Sequence, residues 1–194
     1  MKKYVTIYPN KETIMRLHVN ETMLIAVDIQ ERLLEHIYDF AQLEGRMRRL
    51  LEGIALFDIP LVLNEQYPKG LGHTVSGLKT VMHDAIAMEK VTFSCCQNLA
   101  TRERLLSMNK KSAIVFGIET HVCVLQTCLD LLEMGIQPFL VVDCVGSRKQ
   151  SDHETAILRM VQAGVIPTTY ESVLFEVCGS AKHPAFKAMS QLVK

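Results

Sequence analysis

Cys123 stands where a nucleophile would stand. It lies in the run Ala113-Ile-Val-Phe-Gly-Ile-Glu-Thr-His-Val-Cys123-Val-Leu-Gln-Thr-Cys-Leu-Asp-Leu-Leu-Glu-Met-Gly135. The stretch from Ala113 to Phe116 is short, apolar and rich in β-branched residues, and reads as a buried strand. From about His121 to Met134 the spacing is helical, with Gly135 to close the helix and Thr120 to cap it. Cys123 then falls in the first turn, where unpaired N–H groups and a partial positive charge favour a thiolate over a thiol. A cysteine in that setting is suited to covalent catalysis. A cysteine is also a small apolar core residue, so the sequence around it has to decide.

Two further residues supply what a thiol nucleophile needs. Asp28 ends the apolar run Met23-Leu-Ile-Ala-Val-Asp28, and Lys90 sits in Met88-Glu-Lys90-Val-Thr-Phe-Ser. An ammonium near sulfur lowers the thiol pKa, and a carboxylate can carry the proton. Taken singly, Asp28 reads equally as a helix cap and Lys90 as a solvated lysine. Other chemistries find no support. Gln30 follows Asp28 where a haloacid dehalogenase carries a second acid. Gly72-His-Thr-Val-Ser-Gly77-Leu-Lys79-Thr80 has one residue too many for a phosphate-binding loop. No dinucleotide glycine motif, nucleophile elbow or His-Glu-x-x-His occurs. The seven histidines show no metal-ligand spacing, and the six cysteines form no Cys-x-x-Cys pair.

The elements that must position these residues follow in order. Strands are expected at Met23–Asp28, Pro60–Asn64, Val91–Phe93, Ala113–Phe116, Pro138–Asp143 and Val165–Thr169. Helical spacing covers about Gln30 to Phe57, divided at Gly45, then Leu99–Met108, His121–Met134, Ser151–Ala163 and Pro184–Val193. Residues 65–74 read as a glycine-containing loop. Strands alternating with helices predict an α/β fold: three layers, α/β/α, around a mainly parallel, Rossmann-like sheet. Ligands of such sheets bind beyond the carboxyl ends of the strands. Asp28, Asn64 and Gly117 stand at such ends, so Asp28 and the Cys123 loop are expected to be neighbours.

These residues resemble the isochorismatase-like cysteine hydrolase superfamily, which also holds nicotinamidases and N-carbamoylsarcosine amidases. The matching elements are Ala26-Val-Asp28-Ile-Gln30, Lys90-Val-Thr-Phe-Ser and Gly117-Ile-Glu-Thr-His-Val-Cys123. Asn64-Glu-Gln-Tyr-Pro-Lys-Gly-Leu-Gly72 and His183-Pro-x-Phe186-Lys are similar to the branch of isochorismatase domain-containing proteins. The resemblance runs from about residue 20 to the end. It implies a catalytic triad of Asp28, Lys90 and Cys123, a cis peptide between Ile118 and Glu119, and an oxyanion hole made of the Glu119 and Cys123 N–H groups. Cys123 would attack an amide-like carbon, Asp28 would move the proton, and a thioester would be hydrolysed. Gln30, Glu65, Tyr67, Lys69 and Thr120 are candidates for the substrate pocket. Nicotinamidases hold a metal with Asp-x-His…His after the second strand. Here Glu65-Gln-Tyr-Pro-Lys-Gly-Leu-Gly-His73 lacks that trio, so no metal and no cofactor are expected.

The 194 residues carry 21 Lys plus Arg against 21 Asp plus Glu, which gives no electrostatic footprint for nucleic acid or an anionic membrane. No run of about 18 apolar residues exists to span a bilayer. The expected organisation is one domain over residues 1–194, with residues 1–20 as an N-terminal extension. Free thiols fit a reducing, cytoplasmic location, with a short mitochondrial signal at Lys2 and Lys3 left open. By resemblance the partners are a small-molecule substrate and further copies of the chain, a dimer or larger. A catalytically weak scaffold that keeps the fold, and a thiol redox sensor built on Cys95, Cys96 and Cys128, stand as the competing functions.

Overall fold

The computed structural model describes residues 15–82 and 85–194. Residues 1–14, most of the expected N-terminal extension, lie outside the described residues, as does His83. Six strands form one parallel sheet: β1 (Thr22–Val27), β2 (Leu61–Gln66), β3 (Ala87–Lys90), β4 (Ser112–Ile118), β5 (Gln137–Gly146) and β6 (Ile166–Thr168). Their order across the sheet is β3-β2-β1-β4-β5-β6. The helices are α1 (Glu31–Leu34), α2 (Phe40–Ile54), α3 (Pro68–Leu71), α4 (Ser76–Lys79), α5 (Leu99–Ser107), α6 (Leu125–Glu133), α7 (Gln150–Ala163), α8 (Tyr170–Cys178) and α9 (Phe186–Leu192).

Alternation along the strands splits the core in two. Leu24, Ala26, Ile114, Phe116, Phe139 and Val141 face the layer of α2, α8 and α9. Met23, Ile25, Val27, Ala113, Val115 and Leu140 face the layer of α5, α6 and α7. Every residue of β1 and β4 is buried, which is why their sequences are unbroken apolar runs rather than half-polar ones. The result is the expected α/β/α sandwich.

The chain winds outward from β1 through β2 to β3, then returns to β4 and winds the other way. The switch point lies between β1 and β4, which pair from Thr22↔Ser112 to Val27↔Gly117. Two crevice walls therefore begin side by side, at Asp28 and at Ile118. Gly117 permits this closeness. Its φ is +125°, and a Cβ there would sit 2.1 Å from the Val27 carbonyl oxygen.

Several expected elements differ. The third strand is Ala87–Lys90, not Val91–Phe93. Gly45 lies inside the continuous α2, and the break falls earlier, before Asp39, whose φ is +54°. Helix α8 stands where the sequence pattern suggests no element; its buried Val173, Leu174 and Val177 close over the α2 layer. The segment before α6 is a π-helical turn, Thr120–Val124, rather than an α-helical start.

Candidate active site

β1 delivers Asp28. The residue is fully buried and turns the chain with φ +50°, its N–H donating to the Asn64 carbonyl at 3.1 Å. β3 delivers Lys90, two strands away across β2. Neighbouring strands are about 4.8 Å apart, so only a long side chain at the strand end bridges that gap. The four-carbon stem of Lys90 does so, and its ammonium donates to Asp28 Oδ2 at 2.7 Å. Both side chains are 0% exposed. The Lys90 Nζ also faces Gln66 Oε1 at 2.7 Å, Phe93 O at 2.9 Å and Thr92 O at 3.2 Å.

β4 delivers Cys123, which is 7% exposed, through the π turn. It lies near enough to Asp28 for each group to shift the other's proton affinity. Asp28 Oδ1 is the buried side-chain oxygen that finds no hydrogen-bond partner among the described residues. One carboxylate thus has an oxygen held by the ammonium and a second, buried oxygen free to accept a proton. The Ile118–Glu119 peptide is cis.

The charges differ from the expectation for a helix start. Burial pushes the Cys123 thiol well above its ordinary range, the Asp28 carboxylate pushes it further, and Lys90 opposes both. Desolvation in this core outweighs the turn and the ammonium, and so favours the protonated thiol. Burial also raises the Asp28 pKa, against the pull of Lys90. For Lys90, burial works against the ammonium, but Asp28 with the Cys95 and Cys123 sulfurs prevails and the net shift is upward. A carboxylate made more basic next to a thiol made less acidic describes general-base activation during attack, not a pre-formed thiolate.

The other named residues separate into two groups. Gln30 is fully buried, and its Nε2 donates to Gln66 O at 2.9 Å and Gly72 O at 2.6 Å. Its Oε1 accepts from Gln66 N at 2.6 Å. Glu65 accepts from Thr74 N and Thr74 Oγ1, both at 2.7 Å, and pairs with His73 Nδ1 at 2.9 Å. Thr120 is buried with Oγ1 3.0 Å from His153 Nδ1 and does not cap a helix with its side chain. These three polar groups are engaged with the protein and hold loops, and none of them lines the cavity beside Lys90. Tyr67 and Lys69 are exposed and share with Lys90, Glu89, Val91 and Asn98 a cavity of about 310 Å³. The Glu119 carboxylate pairs with Arg148 Nε at 2.9 Å.

Sequence reasoning missed Gln66, and set Cys95 in a redox sensor rather than at the site. Gln66 holds the Lys90 ammonium, and Cys95 is fully buried near Lys90 and Asp28. The signal for Gln66 was its place in β2 opposite Lys90, visible only once the third strand is set correctly. A larger cavity, about 550 Å³ between α2, β5 and α7, contains none of Asp28, Lys90 or Cys123. Among the described residues, no three His, Cys, Asp or Glu side chains gather as a metal-binding group, and no helix is long and apolar enough to cross a membrane.

Known proteins share this arrangement of chain. The isochorismatase domain matches residues 22–172. Isochorismatase domain-containing protein 1 of Salmo salar is 36% identical over 173 residues, covering 89% of this chain; the chain spans only 61% of that protein's length. A structure described as the MAR1 ribonuclease of Caenorhabditis elegans superposes with a TM-score of 0.87 at 38% identity, covering 92% of each chain. The YcaC protein of Escherichia coli, described as an octameric hydrolase of unknown specificity, gives a TM-score of 0.87 at 25% identity over 92% of this chain and 89% of its own. With the whole sheet, Asp28, Lys90 and Cys123 inside the matched region, the chain belongs to the isochorismatase family.

Proposed function

We propose that the protein is a metal-independent cysteine hydrolase that cleaves the C–N bond of a small amide-like molecule. One observation carries the reading: residues from the ends of three separate strands meet in one buried place. There Lys90 Nζ lies 2.7 Å from Asp28 Oδ2, Asp28 Oδ1 has no partner among the described residues, and the Cys123 thiol is near enough to feel both charges. Cys123 Sγ attacks the carbonyl carbon while Asp28 accepts the thiol proton. The Glu119 and Cys123 N–H groups receive the charge that develops on the carbonyl oxygen. Asp28 returns the proton to the departing nitrogen, the C–N bond breaks, and a thioester remains. Water, deprotonated by Asp28, attacks the thioester and restores the thiol. Lys90 keeps the Asp28 carboxylate in place and balances the negative charge passing between oxygen and sulfur. The cavity beside Lys90 admits the substrate past Tyr67 and Lys69. The octameric YcaC neighbour supports a homo-oligomer here as well.

The name of the nematode neighbour puts RNA forward as a second substrate. Equal numbers of acidic and basic residues speak against it, since phosphate-backbone binding relies on Lys and Arg excess. The test is ammonia release from a panel of small primary amides and carbamoyl compounds, with an RNA arm alongside. Turnover of at least one amide that falls below detection in Cys123→Ala is expected. Amide turnover that survives Cys123→Ala, or cleavage of RNA alone, overturns the proposal. No turnover of any compound, with Cys123 inert to acylating reagents, favours the scaffold reading instead.

A further inference from the structure

We propose that Gln66 positions the Lys90 ammonium and, through it, sets the reactivity of Cys123. The inference rests on Asp28, Lys90 and Cys123 working as one reactive system. An ammonium has three N–H donors, and four oxygens surround Lys90 Nζ. Two of them, the Thr92 and Phe93 carbonyls, follow Lys90 directly in the chain and travel with it. Asp28 Oδ2 and Gln66 Oε1 come from other strands, each at 2.7 Å. The ammonium is therefore fixed between β1 and β2 by these two acceptors.

Gln66 is itself held. It stands opposite Lys90 in the β2–β3 ladder. Its backbone N–H donates to Gln30 Oε1 at 2.6 Å, and its backbone oxygen accepts from Gln30 Nε2 at 2.9 Å. Its side-chain Nε2 donates to the Val91 carbonyl at 3.0 Å. That bond decides which way the amide faces. Rotating it would set an NH2 against the ammonium and a carbonyl oxygen against a carbonyl oxygen. So the buried Gln30 holds Gln66, Gln66 holds Lys90, and Lys90 holds Asp28. A neutral acceptor suits this place. A carboxylate would draw the ammonium away from Asp28, and a hydrocarbon would release it toward the Thr92 and Phe93 carbonyls. Either change weakens the positive charge that opposes the upward push on the thiol.

The test is the rate of Cys123 alkylation by iodoacetamide at pH 9, followed by peptide mass spectrometry on the full chain. Wild type, Lys90→Met, Gln66→Met and Gln66→Glu are compared. Gln66→Met is expected to slow Cys123 about tenfold, the loss of thiolate for a pKa one unit higher. Gln66→Glu retains length and acceptor, covers the case in which the methionine variant fails to fold, and is expected to slow Cys123 too. Cys96 and Cys128, buried thiols on which Lys90 does not act, separate positioning from damage in the same samples. A loosened site speeds labelling at every buried thiol, whereas a displaced ammonium slows Cys123 and leaves these two unchanged. If Lys90→Met slows Cys123 but both folded Gln66 variants stay within about twofold of wild type, or label faster, the role of Gln66 is refuted and the triad stands. If Lys90→Met leaves the rate unchanged, the reactive system itself is refuted.

Discussion

Replacing Lys90 by methionine isolates what the buried ion pair does. Methionine preserves most of the stem, so packing changes little. The ammonium disappears from a place where it and Asp28 are both 0% exposed. Breaking a buried pair by removing one partner costs about 3–5 kcal/mol, because the other charge is stranded. The upper part of that range applies here, since Gln66 Oε1 and the Phe93 carbonyl lose their donor as well. Asp28 escapes by binding a proton, and burial already holds its pKa above the usual carboxylate range. The sign follows from linkage. An acid whose pKa is raised on folding takes up a proton in the folded state before the unfolded one. Stability is therefore greatest at low pH and falls as pH rises from the unfolded value through the folded one, by up to about 1.4 kcal/mol per pH unit. Lys90→Met should thus be more stable at pH 5 than at pH 8. Adding Asp28→Asn removes the stranded charge and should recover about 2 kcal/mol at pH 8. Urea unfolding of the wild type, both single variants and the double variant, at pH 5 and pH 8, measures the cycle. A Lys90→Met penalty below about 1 kcal/mol at pH 8, or one that is equal at both pH values, refutes the reasoning.

Two further outcomes follow from the framework around the pair. Gly117→Ala sets a Cβ 2.1 Å from the Val27 carbonyl at φ +125°; overpacking and strained backbone together should lower stability by about 3 kcal/mol, read as a shift in the urea midpoint. Glu65→Gln should cost about 1–3 kcal/mol at neutral pH. Burial acts to raise the Glu65 pKa, but the bonds from Thr74 and His73 prevail and lower it. That stabilisation is present above the unfolded value of 4.5 and is lost as pH falls through the folded one, so the wild type should converge on Glu65→Gln in acid unfolding curves.

Much of this fold is written in local pattern. β1 and β4 are continuous apolar runs because both faces of the sheet are covered, and Asp28 and Gly117 mark their ends. β3 was displaced because Ala87–Lys90 is a short edge strand with intermediate and exposed residues, and such a strand carries no apolar run. α8 was missed because its buried face, Val173, Leu174 and Val177, follows β6 with only Thr169 between to cap it. Gly45 looked like a break because glycine disfavours helix, yet nothing crowds it and the helix passes through. At the site, Asp28 was legible as a strand end and Cys123 from its place after the fourth strand, while Lys90 stood out only through the family resemblance. The state of the sulfur was not, since helix-end polarity is local but desolvation depends on the whole core. Nor were Gln30 and Glu65 legible as loop clamps, because their partners, Gly72 and Thr74, are brought to them by the fold.

The most direct measurement of the central claim is the location of the acyl group. The protein is mixed with p-nitrophenyl acetate, quenched in acid within one turnover, and mapped by peptide mass spectrometry. The account predicts a single acetyl group on the peptide that carries Cys123, absent in Cys123→Ala and formed more slowly in Asp28→Asn. An acetyl group on another residue, or none on a folded protein, contradicts it.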